Sequence, residues 1–417
     1  MHQAGEGAEF DDLAARVKMR GGACVAEFRS LELSSVFQPV VDLWCGRIVG
    51  HEALVRLTYP NGRTISPVRF FAGALDENAL TELDRLCRAL HLRNFLTAPV
   101  PDGWLFLNIS PRVVLASARQ VGFLRYLVDS AGLPASRIVI ELVESSIPDE
   151  AALLALTHSC RELGCRVAID DFGTGASSFG RVLQMAPDIV KLDRTVVAQA
   201  VHDAGQLRLL KRMTEVLHEI GALVVMEGVE TEAELQLALK AGVDLGQGYH
   251  LGRPEPQPLI DAPELAPSLA TFAAHSEAAQ VAVVDAARHW AQVLEQAAEA
   301  LNGEGGWSRA QQLLLALPGV ARCYLVGADG RQCEEALVPG MAEPLLDSAG
   351  CYHGGATFFI AARGKPGSLQ VRPPAFSARC GRHCWTIARA VPRPDGTAVL
   401  CCDIDAASAG SQENLGT

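Results

Sequence analysis

The amino-acid sequence predicts an α/β protein in which a β/α barrel is followed by a smaller α+β domain. Between residue 35 and about residue 250, short β-rich runs alternate with helical stretches. The runs are continuous in Val, Ile and Leu, which is typical of parallel strands covered on both faces. Several runs also end in a carboxylate or an amide. The 417 residues suffice for a barrel of about 250 residues and a second module of about 100 to 150.

The barrel elements are predicted in the following order. Residues 36–43 and 47–57 flank a turn at 44–46 and are expected to pair as a hairpin, and a helix follows over 80–98. The later strands are predicted at 104–109, 137–142, 166–171, 188–192, 222–227 and 243–246.

Polar residues recur at or near the ends of these strands. In a β/α barrel the carboxyl ends of the strands converge on one face, so such side chains are expected to meet there. A single Asp at a strand end could equally cap the next helix, but repetition at strand after strand favours a shared site. The recurring residues are Glu52, Asn108, Glu141, Asp170, Asp171, Lys191, Glu227 and Gln247.

Seven of these eight side chains carry carboxylate or amide oxygens, the ligands that hard cations prefer. The sequence therefore predicts a Mg²⁺ or Mn²⁺ site. The adjacent carboxylates Asp170 and Asp171 allow one side chain to bridge two ions, as in sites that catalyse phosphoryl displacement. The lysine is expected to neutralise charge or to orient the attacking water.

Composition excludes several classes of function. A net charge of −12 repels a polyphosphate backbone at long range, so binding to DNA or RNA is not expected. The first ten residues have neither a basic start nor an apolar core, and no run of about 18 apolar residues follows. The sequence predicts a cytoplasmic protein without a membrane segment, whose twelve cysteines are reduced and mostly buried.

A Pro-rich segment over 253–267 predicts the end of the barrel. A helix follows over 276–302, whose apolar residues have a 4-3-4-3-4 spacing, consistent with packing against a domain or with a signalling or dimer helix. Residues 307–405 predict an α+β module with an antiparallel sheet, comprising a helix at 308–317 and runs at 323–326, 357–361, 385–390 and 398–404. The expected parts are an extension (1–29), a barrel (30–262), a connection (263–306), the second domain (307–408) and a tail (409–417).

The barrel segment resembles the EAL phosphodiesterase family, because it contains eight of that family's motifs in the family's order. The triplet Glu52-Ala53-Leu54 alone would carry little information, whereas the ordered set over about 230 residues is specific. The motifs are Phe37-Gln38-Pro39, Glu52-Ala53-Leu54-Val55-Arg56, Asn108-Ile109-Ser110, Glu141-Leu142-Val143-Glu144-Ser145, Asp170-Asp171-Phe172-Gly173-Thr174-Gly175, Lys191-Leu192-Asp193, Glu227-Gly228-Val229-Glu230-Thr231 and Gln247-Gly248-Tyr249.

This resemblance implies a TIM-like (β/α)8 barrel whose first strand is antiparallel to the others. It also implies that the protein binds cyclic di-GMP and hydrolyses one phosphodiester bond to give linear pGpG, using two Mg²⁺ or Mn²⁺ ions. By motif, Glu52, Asn108, Glu141 and Asp171 would hold one ion, and Asp170 and Asp171 the other. Lys191 and Glu227 would position and deprotonate the attacking water, and Gln247 would complete the water or metal shell.

The resemblance further implies contacts to the ligand and a regulated loop. Arg56 is expected to meet a phosphate as a bidentate donor, the alternative being a surface pair with an acid. Glu144 resembles the acid that anchors the loop after Asp171, and a homodimer is the family expectation. Ala176 and Met226 depart from the residues usual in the family, which affects expectations about loop order. The implied ligand contacts are Gln38, Leu54, Arg56, Asp193, Gly248, Tyr249 and Pro254.

The second domain resembles, more weakly, the PAS-like or Cache-like sensory domains of some two-domain members, and an unidentified small-molecule ligand is expected there. The resemblance depends on 372–373, 384–387 and 399–405. Cys380 and Cys384, with His383 between them and with Cys351 and His353 upstream, could form a zinc or redox site, or could be packing residues.

Two alternatives to hydrolysis stay open from the sequence. One is a receptor that binds cyclic di-GMP without cleaving it and signals to a protein partner. The other is an interaction module in which the barrel is a scaffold for the second domain.

Overall fold

The computed structural model describes two compact units, Met1–Phe272 and Ala273–Thr417. No helix among the described residues combines the length and the apolar character needed to cross a membrane. The described residues are 2–71, 73, 75–98, 103–110, 113, 117–143, 150–173, 179–201, 203–261, 263–303, 306–337, 350–377, 380 and 382–406.

The first unit is built on a closed barrel of eight strands. β3 pairs in the antiparallel sense with both β4 and β11, and every other neighbouring pair around the ring is parallel. The predicted barrel and its antiparallel first strand are therefore confirmed. The barrel strands are β3 (Leu31–Asp42), β4 (Arg47–Thr58), β6 (Trp104–Ile109), β7 (Ile138–Val143), β8 (Arg166–Phe172), β9 (Ile189–Leu192), β10 (Leu223–Glu227) and β11 (Leu245–Gln247).

Short strands extend the barrel sheet, and helices surround it. β1 (Lys18–Arg20) and β2 (Ala23–Phe28) continue the sheet beyond β3, and β5 (Thr64–Ile65) pairs with β4. A 3₁₀ turn at Ala135–Arg137 precedes β7. The helices are α1 (His2–Ala15), α2 (Pro67–Phe71), α3 (Glu77–Thr97), α4 (Ser117–Ala131), α5 (Glu150–Glu162), α6 (Phe179–Met185), α7 (Arg194–Ala200), α8 (Ala204–Glu219) and α9 (Glu232–Ala241).

Local sequence signals fix several of the helix ends. Thr231 and Glu234 form a reciprocal capping box at the start of α9, and Gly242 ends that helix in the left-handed conformation with φ 75°. The N-terminal segment belongs to the same core, since Phe10 and Leu13 of α1 are buried within it.

A second apolar cluster fills the inside of the barrel. It consists of one inward-facing residue from each of seven strands, and all seven are almost inaccessible to solvent. β4 contributes Gly50 at this level, where a Cβ would lie 2.6 Å from the Trp104 carbonyl oxygen. The barrel is therefore closed by a packed floor, as is usual for this architecture. The seven residues are Val40, Phe106, Val139, Ala168, Ile189, Val225 and Leu245.

The helix predicted over 276–302 begins ten residues earlier, as α10 (Ala266–Asn302). Pro267 lies in its first turn, where proline costs no hydrogen bond, so the Pro-rich segment starts this helix as well as ending the barrel. Within the second unit, Trp290, Leu294 and Ala297 of α10 are buried against that unit's own sheet. The observed role of this half of the helix is therefore packing against a domain. Val283 lies outside the residues whose side chains are described.

The second unit contains an antiparallel sheet of order β13-β12-β16-β15-β14. α10 and α11 cover one face, and α12 covers the other. Cys402 packs on the first face and Cys401 on the second, which confirms their predicted opposite directions. The elements are α11 (Gly306–Leu315), β12 (Val320–Val326), β13 (Gln332–Leu337), α12 (Thr357–Gly364), β14 (Gln370–Ser377), β15 (Arg382–Arg393) and β16 (Gly396–Asp405).

The run at 357–361, predicted as part of the sheet, is instead the start of α12. A short apolar run does not by itself distinguish a strand from a buried helix. Here Phe358, Phe359 and Ala362 are buried, and residues with this spacing lie on one face of a helix.

Candidate metal centre at the barrel mouth

A polar layer lies next to the apolar floor, two residues further along each strand. Side chains alternate between the two faces of a strand, so residues two apart point to the same side. β3 runs in the opposite direction, so its residue in the polar layer, Gln38, comes two positions before its floor residue, Val40. The polar layer comprises Gln38, Glu52, Asn108, Glu141, Asp170, Lys191, Glu227 and Gln247.

Lys191 is the cation at the centre of this layer and is only 1% exposed. Its Nζ lies 2.7 Å from both Glu141 Oε1 and Glu227 Oε1. The same atom lies 3.2 Å from Asp170 Oδ1 and 3.5 Å from Glu52 Oε2. One buried ammonium therefore faces four carboxylates from four different strands, and the excess of negative charge favours additional cations.

Glu52 is held by two amide side chains. Asn108 Nδ2 donates to Glu52 Oε1 at 2.9 Å, and Gln247 Nε2 donates to Glu52 Oε2 at 2.7 Å. Gln38 extends the network, since its Oε1 lies 3.3 Å from Gln247 Nε2. These bonds fix the carboxylate of Glu52 in one orientation, as expected of a preorganised site.

Asp170 and Asp171 both line the cleft although they are adjacent in β8. In a regular strand one of them would point away from the barrel axis. The pairing of β8 with β9 shifts register between Ile169 and Phe172, and Asp171 has a φ of 56°, in the left-handed region. This bulge turns both carboxylates to the same side, a local strain of the kind found at functional sites.

The buried charges shift one another's pKa values. Burial raises the pKa of Glu227 to about 8; Lys191 opposes this, and Asp170 adds to it. Burial also raises the pKa of Glu141 well above its usual range and raises that of Asp171. Burial acts against the charged form of Glu52 as well, but Lys191 together with the hydrogen bonds from Gln247 and Asn108 outweighs it, so the pKa of that carboxyl is lowered.

The pKa of Lys191 is raised well above its ordinary value. Burial disfavours the ammonium, but the surrounding carboxylates, Asp170 and Glu141 foremost, more than compensate. Lys191 is therefore a permanent cation and not a proton donor at neutral pH.

The donor set fits divalent cations. Among the described residues, one group of three acidic side chains has ligand oxygens all within 4.8 Å of one another, namely Asp170, Asp171 and Glu227. Glu141 Oε2 and Gln247 Oε1 are buried and receive no hydrogen bond from any described residue. Hard oxygen donors gathered in this way suit Mg²⁺ or Mn²⁺.

A cleft of about 380 Å³ opens over this layer. It brings together five of the residues expected to contact the ligand. It adds Gly228 and Glu230, which belong to the motif that begins at Glu227 but were assigned no role from the sequence, and Arg194, which directly follows the motif residue Asp193. For Arg194, proximity to that motif was the available signal. The five expected residues are Gln38, Leu54, Asp193, Gly248 and Tyr249.

The rim of the cleft has two features with a clear physical role. Asp193 caps α7, accepting a hydrogen bond from the Thr195 amide at 2.8 Å, while also lining the cleft. A Cβ on Gly248 would lie 2.2 Å from the Val229 carbonyl oxygen, so only glycine fits between these backbones.

Two of the residues expected to contact the ligand, Arg56 and Pro254, are not among those lining the cleft. Arg56 is two residues beyond Leu54 on β4; its Nη1 donates to the Val55 carbonyl at 3.2 Å, and it does not line the cleft. Pro254 precedes Glu255, which pairs with Phe37 beside Gln38. Glu144 and the loop residue Ala176 lie outside the described residues.

The zinc or redox interpretation of the cysteines in the second unit stays a prediction. Among the described residues, the one group of three metal-binding side chains found is the acidic group of the barrel. His353 lies 3.2 Å from Gln332 Oε1 and packs beside the Tyr324 ring. Cys380 and Cys384 do come together, with their Sγ atoms 3.4 Å apart.

Comparison with known proteins assigns the family. The model of the EAL domain matches residues 24–254, which is more than half of the chain. The chain belongs to the EAL domain family. The family's match contains all eight residues of the polar layer as well as Asp171.

Among the relatives of this EAL protein is the cyclic di-GMP phosphodiesterase PdeF of Escherichia coli, 31% identical over 218 residues, which are 51% of this chain and 28% of PdeF. The chain spans about a third of the length of the curated relatives it matches.

Among the solved structures similar to the EAL protein are two complexes with cyclic di-GMP. Bacillus subtilis YkuI, solved with cyclic di-GMP and calcium, has a TM-score of 0.76 and 20% identity, covering 89% of this chain and 96% of YkuI. That likeness extends over both units and concerns the fold. Klebsiella pneumoniae BlrP1, in a complex with manganese and cyclic di-GMP, has a TM-score of 0.50 and 26% identity, covering 58% of this chain and 61% of BlrP1.

Proposed function

We propose that this protein is a divalent-metal-dependent phosphodiesterase that opens cyclic di-GMP to linear pGpG. The observation that carries the proposal is the complete polar layer, in which the carboxylates, the amides and Lys191 share one buried site beneath an open cleft. The activity named for PdeF and the ligands of BlrP1 support the same reaction.

The charge of the cleft explains why cations are needed for this substrate. Six carboxylates line it, and Arg194 is the cationic side chain among the lining residues. A bis-phosphodiester would be repelled from such a cleft without bound cations. The six carboxylates are those of Glu52, Asp170, Asp171, Asp193, Glu227 and Glu230.

The proposed ligands are those implied by the family motifs. Glu52, Asn108, Glu141 and Asp171 would hold one cation, and Asp170 with Asp171 the second. Two such ions would activate the attacking water and neutralise the charge that develops on the phosphate. The bulge in β8 supports this assignment because it points both adjacent carboxylates into the cleft.

The chain's own residues supply positioning and proton transfer. Lys191 fixes the orientation of Glu141 and Glu227 through its two contacts at 2.7 Å. Glu227, with a pKa raised to about 8, lies in the range where a carboxyl can take and release a proton near neutral pH. Gln247 holds Glu52 and has a carbonyl oxygen left to accept from water.

A turnover assay tests the proposal. The purified chain should convert cyclic di-GMP to pGpG in Mn²⁺ or Mg²⁺ and lose the activity in EDTA, as followed by chromatography of the nucleotides. Glu52→Gln and Asp171→Asn should lower kcat by at least about a thousandfold, because each replaces a charged ligand by a neutral amide. The exposed Glu219→Gln is the matched control and should retain the parent rate.

Binding without turnover would overturn the enzyme proposal in favour of the receptor alternative. We therefore pair the assay with calorimetric titration of cyclic di-GMP in Ca²⁺. Measurable affinity together with no pGpG in Mn²⁺ or Mg²⁺ would establish a receptor.

We also propose that the second unit regulates the barrel. The proposed domain limits are those predicted from the sequence, with the barrel over 30–262 and the second domain over 307–408. We further propose that the chain acts as a homodimer. A chain ending at residue 272 should keep its hydrolytic activity while losing any response to a small-molecule ligand. Light scattering of the full chain would give its mass, and a monomer at micromolar concentration would contradict the dimer.

A further inference from the structure

The hairpin between β14 and β15, which belongs to the second unit, brings two cysteines together. Ser377 and Arg382 are paired in register, so Cys380 lies in the short connection and Cys384 lies within β15. Their Sγ atoms are 3.4 Å apart, a thiol hydrogen-bond distance. A disulfide, with an S–S bond of roughly 2.05 Å, requires the two sulfur atoms to come closer than this.

The two thiols differ in access. Cys380 is half-buried, whereas Cys384 is 2% exposed and is flanked in the sheet by Ala375 and Asp405. A reagent in solution can therefore reach Cys380 first. Cys384 is placed to attack from inside the protein, which is the arrangement of a nucleophilic and a resolving cysteine.

The electrostatic surroundings favour a thiolate on Cys380. The hydrogen bond from Cys384 lowers the pKa of Cys380 to about 6, partly opposed by burial. The same bond and burial raise the pKa of Cys384. These shifts favour the thiolate on Cys380, the more accessible sulfur, over one on Cys384.

Two carboxylates near the pair oppose this charge, and each of them is ion-paired. Asp403 is held by Arg322 Nε at 2.8 Å and by the Thr386 hydroxyl at 2.8 Å. Asp405 is held by Arg382 Nη1 at 2.8 Å. Asp403 still raises the pKa of Cys380, but less than the hydrogen bond from Cys384 lowers it.

We propose that Cys380 and Cys384 form a reversible disulfide when the protein meets a low-molecular-weight disulfide such as oxidised glutathione. The Cys380 thiolate attacks one sulfur of the small disulfide, forming a mixed disulfide and releasing one small thiolate. Cys384 then loses its proton and attacks the Cys380 sulfur, which releases the second small thiolate. Two protein thiols are oxidised, one small disulfide is reduced, and the two protons end on the released thiols.

The size of the ring indicates a regulatory or sensing bond and not a structural staple. Only three residues lie between the two cysteines in sequence, so the crosslink restricts the unfolded chain little. The other sulfurs of this sheet support the assignment, because burial raises the pKa of Cys323 to about 12 and that of Cys401 well above its usual range. Those thiols stay protonated and unreactive.

Peptide mapping of the full chain tests the proposal. The protein is equilibrated in buffers of varied ratio of reduced to oxidised glutathione, alkylated under denaturing conditions and digested with trypsin. Trypsin cuts after Arg379, Arg382 and Arg389, so the two cysteines fall on separate peptides. We expect a linked pair two hydrogens lighter than the summed peptides, which dithiothreitol separates again.

Two variants and a control identify the roles. Cys384→Ser should abolish the linked pair and accumulate glutathione on Cys380, whereas Cys380→Ser should leave Cys384 unmodified until the protein is denatured. Cys333→Ser removes an exposed thiol of the same unit and should leave the linked pair unchanged.

The wild-type measurement decides the question even if a variant folds poorly. Recovery of Cys380 and Cys384 as separately alkylated peptides at every glutathione ratio would overturn the proposal. Linkage of Cys380 to any other cysteine would do the same. Neither result depends on hydrolysis in the barrel, so this test and that of the proposed function are independent.

Discussion

Replacing Lys191 by methionine is the sharpest perturbation of the polar layer, because it removes the one fixed cation and keeps the length of the side chain. A contact at 2.7 Å between two full unit charges would correspond to about 6 kcal/mol at an effective dielectric constant of about 20. This is an upper bound for the two contacts, because the raised pKa values of Glu141 and Glu227 reduce their charge and burying the ammonium has a cost. Breaking a buried ion pair typically costs a net 3–5 kcal/mol. We expect a loss of about 4 kcal/mol in the unfolding free energy of the barrel in EDTA.

Divalent cations should return part of this loss. The four carboxylates around Lys191 bind cations more tightly once the ammonium is gone, and a ligand at about 100 times its Kd stabilises by about 2.7 kcal/mol. Saturating Mn²⁺ should therefore reduce the difference in unfolding free energy between Lys191→Met and the parent by at least about 1 kcal/mol. Hydrolysis should not return, because Glu141 and Glu227 lose the group that positions them.

Urea denaturation followed by circular dichroism, with and without Mn²⁺, measures these free energies. The second unit unfolds in the same sample and serves as an internal reference. The exposed Lys211→Met is the matched control, expected within about 0.5 kcal/mol of the parent. A loss below about 1 kcal/mol in EDTA, or a loss unaffected by Mn²⁺, would refute the assignment of Lys191 as the buried counter-ion.

Three further outcomes are expected. Gly248→Ala should destabilise the barrel by about 1–3 kcal/mol in urea and abolish turnover, since its Cβ would overlap the Val229 backbone; a fully active variant would contradict this. Burial lowers the pKa of His91 to about 3 in the folded protein, whereas the unfolded chain binds a proton at His91 near pH 6.5. The unfolding free energy therefore falls as the pH drops below about 6.5. Between pH 7 and pH 5 the unfolding free energy of the parent should fall by about 2 kcal/mol more than that of His91→Gln. Equal dependence of the unfolding free energy on pH in the two proteins would contradict this role of His91. Trp290→Ala should lower the unfolding free energy of the second unit by about 3–5 kcal/mol and leave that of the barrel unchanged, as seen in separate unfolding transitions.

The sequence by itself determined the barrel, the order of its strands and most of the residues of the polar layer. Continuous apolar runs and strand-end carboxylates are local signals. Because every parallel strand of a barrel ends at the same face, carboxylates that recur at strand ends meet in one site. Even the floor of the barrel follows from the alternation of side chains, since Val225 and Glu227 are two residues apart and so face the same side.

Only the tertiary structure decided how these side chains meet. Alternation predicts opposite directions for Asp170 and Asp171, and it is the bulge against β9 that turns both into the cleft. The run at 357–361 became a helix because packing against the sheet, and not local propensity, selected between two conformations open to a short apolar segment. The pairing of Cys380 with Cys384 likewise depends on the register of a hairpin, which spacing alone does not fix.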